Sequence, residues 1–356
     1  MNLVNKQLGK NVMRMASDPS LEVTYLSTGL LPIDIALGGG IPTGRFTEFY
    51  GDWSTLKSYI GYKWLATQQA EGKVCGLLDT ERVFDPEWAR QLGVNTDELL
   101  VWPNPETREV HTGEEAIDAA QVMVANGVDC LVFDSVSAAL PQQEDSKRLS
   151  GESVQPARLA QLMSLACRKL TATNDSTAML WINQTRMNIG VTFGNPEVTT
   201  GGRALPYYAS LRLNLRKTGV LREPVKQYDG EKWINSKKTV AQKYAAIRVK
   251  SKLSKPFTDV HFVWDLQEAM VDEVGFLIAQ GIELGLIDQR GSSWSFAGLK
   301  VVGREKFRQR MQATPGALAA LEDQVRTYHG LPVLSVGQPA RRKKKVVATT
   351  RQLRRK

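Results

Sequence analysis

The stretch FTEFYGDWSTLKSYI at positions 46–60 carries the residue types and spacing best suited to chemistry in this chain. Gly51, Lys57 and Ser58 fit the pattern G-x-x-x-x-G-K-[ST], except that Leu56 stands where the second glycine belongs. A short aromatic and β-branched strand leads into a polar loop, and an apolar helix starts near Lys57. In that order, backbone N–H groups of the loop and of the helix N-terminus converge on an anion. The lysine adds a point charge. The spacing alone is a weak signal, because G-x-x-x-x-x-K-[ST] arises by chance in roughly one chain in six of this length. An ordinary strand-to-helix turn reads the same way, so the surroundings have to decide.

Those surroundings alternate between strand and helix. Strand-like segments at 74–79, 99–102, 129–134 and 177–182 are separated by helical spacing at 86–92, 114–125 and 156–170. Alternation of this kind predicts an α/β fold, a mostly parallel twisted sheet with helices on both faces. Ligands of such sheets bind at the carboxyl ends of the strands, and there the polar residues gather: Asp79-Thr80-Glu81, Asp134-Ser135 and Asn183-Gln184. Asp134, directly after an apolar run, has the position of a carboxylate held near Mg2+. A short helix at 2–15, a strand at 22–26 and a glycine-punctuated stretch at 27–45 precede the loop. After about residue 258 the pattern changes to a helix with a glycine stop, a small hairpin and another helix.

Composition narrows the class. A length of 356 residues suits about two domains, with 42% hydrophobic and 23% charged residues, as expected of a soluble globular protein. No apolar run is long enough for a membrane span and no secretory h-region is visible, so a cytoplasmic chain without membrane partners is expected. Cys75, Cys130 and Cys167 are few and scattered, which predicts core thiols. The net charge is +9, and residues 341–356 hold nine Lys and Arg and no acid. With those nine set aside, 37 basic residues face 37 acidic ones. The whole excess thus sits on a tail without hydrophobic period, which reads either as a solubilising end or, the favoured reading, as a contact for a phosphate backbone.

STGLLPIDIALGGGIPTGR, LLDTERVFDPEWARQLGV, LVFDSVSAAL, INQTRMNIGVTFGNPEVTTGGRAL and VKSKLSKPF together resemble, in the same order, segments of the RecA recombinases of bacteria and their phage-encoded relatives, from about residue 7 to 326. The resemblance implies a DNA-dependent ATPase that forms helical homo-oligomeric filaments on single-stranded DNA, pairs it with double-stranded DNA and exchanges strands, using ATP and Mg2+. Single-strand-binding or loading proteins are further partners it suggests. By the same resemblance, Gly51, Asp52, Trp53, Ser54, Thr55, Leu56, Lys57, Ser58 and Tyr59 form the nucleotide loop, Lys57 holds the β- and γ-phosphates, and Ser58 and Asp134 ligate Mg2+. Glu81 is the catalytic glutamate and Gln184 the switch that feels the γ-phosphate. Trp88 stands against adenine with Asp85 beside it, and Lys250 and Lys252 reach a neighbouring protomer's ATP. The DNA-contacting set is Arg168, Arg186, Met187, Asn188, Ile189, Gly190, Phe193, Gly194, Asn195, Gly201, Gly202 and Arg203, with a first DNA loop near 144–154.

The domains this implies are an N-terminal segment for oligomerisation (1–26), an ATPase core (27–257), a small α+β carboxy-terminal domain for duplex DNA (258–333) and a basic, disordered tail (334–356). Four features depart from the family pattern: Leu56, a short N-terminal helix, an inserted basic segment at 220–240 with no role legible in the sequence, and a basic tail where bacterial RecA ends in an acidic one. Leu56 keeps a second reading open, a non-catalytic RecA-fold DNA-binding or mediator protein with an impaired phosphate loop. Joint retention of Lys57, Ser58, Glu81, Asp134 and Gln184 speaks against it. A ring helicase of the same fold is disfavoured by the match around Met187 and in the carboxy-terminal module. Deleting residues 341–356 should lower the salt dependence of DNA binding, by up to about 0.9 log units for each duplex phosphate that the tail neutralises. An unchanged slope in a salt titration would contradict a DNA-contacting tail.

Overall fold

A computed structural model describes residues 2–7, 9, 13–104, 111–142, 157–188, 196–228, 233–255, 257–314 and 316–333. The chain opens with α1 (Asn2–Gln7), β1 (Tyr25–Leu26), α2 (Leu31–Leu37) and β2 (Ile41–Pro42). The core follows as β3 (Phe46–Gly51), α3 (Lys57–Ala70), β4 (Cys75–Asp79), α4 (Pro86–Gln91), β5 (Leu99–Trp102), α5 (Gly113–Ala125) and β6 (Cys130–Asp134). After them come α6 (Ala157–Thr173), β7 (Ala178–Met187), β8 (Glu197–Thr199), α7 (Ala204–Tyr208), β9 (Leu211–Tyr228) and β10 (Trp233–Ser251). The chain continues through β11 (Thr258–Asp265), β12 (Met270–Val271) and α8 (Glu273–Glu283) to the three-stranded sheet of β13 (Asp288–Arg290), β14 (Ser293–Phe296) and β15 (Leu299–Val302). Two helices, α9 (Arg304–Ala313) and α10 (Ala317–Tyr328), close the described chain.

The central sheet runs β12-β11-β10-β9-β3-β7-β6-β4-β5, with β8 paired to β7. From β9 to β5 every neighbouring pair is parallel; β10, β11 and β12 add an antiparallel flank. Alternation along the parallel strands shows why both faces must be covered. On β7, Met179 and Trp181 pack with α5 and α6, whereas Ala178, Leu180 and Ile182 pack with α2 and α3. The stacked rings of Phe133 and Trp181, 4.6 Å apart, fill the first layer. Local signals set the helices: α5 starts on a capping box, Thr112 with Glu115. The three cysteines are buried and free, and no described helix is long and apolar enough to cross a membrane.

Several boundaries differ from those read in the sequence. The helix expected at 2–15 is observed as Asn2–Gln7, and Gly9 already turns the chain with a φ of 65°. Strand β11 pairs with β10 over eight residues and β12 with β11, so both belong to the central sheet. Strand β7 extends past Ile182 to Met187, since β8 gives its outer half a partner. The inserted segment forms the outer parts of β9 and β10, strands of 18 and 19 residues. The tail at 341–356 and the first DNA loop at 144–154 lie outside the described residues.

Helix α8 rests on the core through a buried polar cluster. Glu273 is surrounded by Lys63, Glu322, Asp34 and Arg326, and burial pushes its carboxyl up to about 7, helped by the charges of Glu322 and Asp34. Its native pKa lies above the unfolded value, so the native state holds the extra proton between about pH 4.5 and 7. Stability from this group is therefore lost as pH rises through that window. Glu273→Gln should be more stable than the parent at pH 8 by on the order of 1–3 kcal/mol, seen as a higher melting temperature, and close to it near pH 5. Parallel melting curves at both pH values would contradict this.

Candidate nucleotide and DNA sites

At the end of β3 the backbone must pass very close to β9. A Cβ on Gly51 would stand 2.2 Å from the Leu215 carbonyl oxygen, so only glycine fits there. The loop then turns through Ser54 at φ 53° and Leu56 at φ 66°, and α3 begins at Lys57. Leu56 therefore adopts the left-handed backbone that the motif assigns to glycine, at a cost of roughly 1–2 kcal/mol. Packing of its half-buried side chain against the core offsets part of that cost.

Inside the loop, the Lys57 ammonium donates to the carbonyls of Gly51 (3.2 Å) and Asp52 (2.7 Å) and to Thr55 Oγ1 (3.1 Å). Burial lowers the Lys57 pKa, while the charges of Asp134, Glu81 and Asp52 pull it back up. Asp52 also accepts the Trp53 N–H (2.8 Å). The Trp53 ring is 72% exposed and lies under the Lys217 ammonium, 4.1 Å from the ring centre. Tyr59 does not face the loop. Its ring packs edge-on to Trp264 at 4.4 Å and its hydroxyl accepts the Val271 N–H, so only its backbone is available to a nucleotide. The reason is helical phase: Tyr59 is buried on the core side of α3.

Three strand ends meet beside Lys57. Asp134 is buried, and burial pushes its carboxyl up to about 6; the Ser58 hydroxyl and the Lys57 charge lower it, and Glu81 and Asp79 raise it. A carboxylate so placed, next to a serine hydroxyl, is the oxygen donor set a hard divalent cation prefers. Glu81 Oε1 accepts from Ser135 Oγ (2.5 Å) and from Gln184 Nε2 (3.3 Å). The fold thus joins residues 103 positions apart in sequence. Ser135 went unassigned in the sequence, where a serine after a strand carries no distinguishing signal; Ser137 in turn contacts it at 2.7 Å.

Behind Gln184 lies a buried polar chain that the sequence did not reveal. Glu48 on β3, fully buried, accepts from Arg212 Nε (2.5 Å) and Asn183 Nδ2 (2.9 Å). Asn183 also donates to the Thr200 carbonyl and accepts the Gln184 N–H, both at 2.9 Å. Arg212 continues to Thr199 Oγ1 (3.3 Å) and lies over the Tyr50 ring. Arg216 pairs with Glu197. The chain thus ends on β8 and its flank, the stem of the expected DNA loop.

The remaining expected residues sit as follows. Asp85 caps α4 by accepting the N–H groups of Glu87 and Trp88, and Trp88 is half-buried against the core. Lys250 and Lys252 donate to the carbonyls of Pro206, Tyr207 and Tyr208 at the end of α7, rather than to this chain's own phosphate loop. Arg168 is exposed on α6. Arg186 and Met187 lie on the β7–β8 stem, and Asn188 donates its N–H to Pro196 at 2.9 Å. Gly201 and Gly202 adopt φ of 86° and 77°, and Arg203 leads into α7. Asn188, Glu197, Arg203 and Arg212 line a cleft of about 370 Å³ beside Tyr50. Ile189, Gly190, Phe193, Gly194 and Asn195 lie outside the described residues.

Comparison with known proteins agrees with this geometry. The RecA N-terminal domain family matches residues 1–269. The protein named RecA from Cereibacter sphaeroides (strain ATCC 17023) is 37% identical over 335 residues, covering 92% of each chain. Protein RecA of Paracoccus denitrificans is 37% identical over 336 residues, covering 92% of this chain and 88% of its own. Protein RecA of Blastochloris viridis is 37% identical over 337 residues, covering 92% and 90%. With that extent of similarity and a phosphate loop, strand-end carboxylates and loop stem in one place, the chain belongs to the RecA family.

Proposed function

We propose that this chain couples ATP hydrolysis at the Lys57–Asp134–Glu81 cluster to DNA held by the β7–β8 stem, as the DNA-dependent ATPase of homologous recombination and repair that its family implies. It binds DNA and assembles with copies of itself into filaments. Loading or single-strand-binding proteins would be additional partners, and its place of action would be the cytoplasm. The observation that carries the reading is the contact of Glu81 with Gln184, since it puts the hydrolytic carboxylate in touch with the strand that leads to DNA.

In this reading Lys57 and the loop N–H groups bind the β- and γ-phosphates. Ser58 and Asp134 would hold Mg2+, which would offset charge on the phosphate oxygens. Glu81 orients a water molecule and accepts its proton as the new O–P bond forms and the bond to the β-phosphate bridging oxygen breaks. Ser135 and Gln184 aim the Glu81 carboxylate. Lys250 and Lys252, already turned towards carbonyls at the end of α7, are assigned to a neighbouring protomer's nucleotide, and Trp88 with Asp85 to the adenine. The described part of the domain division becomes a core through Val271 and a small module from Glu273 onward. The non-catalytic alternative loses its main support, because Leu56 takes the backbone conformation of the missing glycine.

Glu81→Gln should reduce ATP turnover in the presence of single-stranded DNA by at least about 100-fold, the scale of a lost general base, with ATP affinity little changed. DNA-stimulated turnover equal in mutant and parent would refute the assignment. Leu56→Gly should change ATP affinity by less than about tenfold, roughly 1.4 kcal/mol, because relief of backbone strain and loss of packing oppose each other. A larger gain would mean that Leu56 impairs the loop.

A further inference from the structure

Strands β9 and β10 run beyond the sheet that holds them. β3 pairs with β9 only as far as Leu215, and β11 pairs with β10 only from Ala241 to Arg248. From Val220 to Tyr228 and from Trp233 to Val240 each strand has only the other as a hydrogen-bonding neighbour among the described strands. A free two-stranded ribbon is marginally stable in water at best, which points to a surface that is used. Its register makes it two-faced. Arg222 stands opposite Thr239 and Lys237 opposite Pro224, so the two cations are diagonal neighbours on one face. The described residues of that face, Val220, Arg222, Pro224, Asn235, Lys237 and Thr239, include no acid. On the other face Glu223 stands directly opposite Lys238, and the charge cancels. Arg222, Lys237 and Lys238 are all exposed. Lysines that merely guard an edge against strand addition need no such sidedness.

The root of the ribbon touches the phosphate loop from both strands. Lys217 and Tyr244 are direct cross-strand partners. The Lys217 ammonium lies over Trp53, and the Tyr244 hydroxyl donates to the Ser54 carbonyl at 3.2 Å. Both interactions fall on the loop between Gly51 and Lys57, and both come from the base of the ribbon.

We propose that the Arg222–Lys237 face docks double-stranded DNA and that the Lys217–Tyr244 pair passes the state of that docking to the phosphate loop. A two-stranded ribbon has the cross-section that the major groove admits, and cations on one side meet the phosphates that border it. The second half of the proposal rests on the nucleotide reading above.

The test uses the full-length chain, a fluorescent 30-base-pair duplex and a salt titration. Arg222→Glu with Lys237→Glu should weaken duplex binding at least tenfold at moderate salt and reduce the log–log salt slope by about one to two units, for two phosphates neutralised in the parent. Lys238→Glu, on the charge-cancelled face, should stay within about threefold of the parent. Parent-like binding by the double reversal, or equal weakening on both faces, would overturn the docking face. Lys217→Met should keep duplex binding but lose the shift in KM for ATP that duplex produces in the parent; a shift that persists, or none in the parent, would overturn the transmission. Turnover on single-stranded DNA should remain at the parent level in the double reversal. A parent that hydrolyses no ATP would instead defeat the proposed function, leaving the duplex-binding result to stand or fall separately.

Discussion

The buried carboxylate of Glu48 is the interaction on which the two sites depend. It sits on β3, the strand that ends in the phosphate loop, and it is fully buried. Left unpaired, such a charge would cost several kcal/mol. Its partners come from the two strands on either side, Arg212 from β9 and Asn183 from β7. That requirement locks the three strands in register, and Gln184, next to Asn183 on β7, is thereby delivered to Glu81. Arg212 and Asn183 then direct their remaining hydrogen bonds to Thr199 and Thr200, beside the DNA-loop stem. One desolvated charge thus joins the proposed nucleotide site to the proposed DNA-loop stem.

The phosphate loop itself is held under tension and pinned. Two non-glycine residues in left-handed backbone, Ser54 and Leu56, would each cost roughly 1–2 kcal/mol if nothing opposed them. The half-buried Leu56 side chain, the Lys57 ammonium on the loop carbonyls, and the Tyr244 and Lys217 interactions oppose them. A loop so balanced can change shape for a small free-energy input, as a site that senses its ligand requires.

Legibility in the sequence followed the range of the interaction. The candidate nucleotide loop stood out because Gly51, Lys57 and Ser58 are local and chemically distinctive, and the strand-end carboxylates because alternation places them on one edge. The α/β class followed from the same periodicity. Glu48 and Arg212 could not be read, since they lie 164 positions apart and each looks like an ordinary polar strand residue. Ser135 and the seat of Tyr59 in the core depend on side-chain direction, which spacing does not give. The ribbon had no legible role because the sidedness of its polar residues emerges only once the cross-strand register is known. The sheet membership of β11 was not legible for a related reason: its partner β10 places it there, not its own composition.

The coupling carried by Glu48 and Asn183 is tested most directly by measuring single-stranded DNA affinity with and without a non-hydrolysable ATP analogue, in the parent and in Asn183→Ala, with folding checked by thermal melting. The parent should bind DNA more tightly with the analogue, by a factor within the range of about 5 to 150 typical of linked sites. The variant should retain both ligands and lose most of that factor. A folded variant with the parent's full factor would show that the two sites communicate by another route.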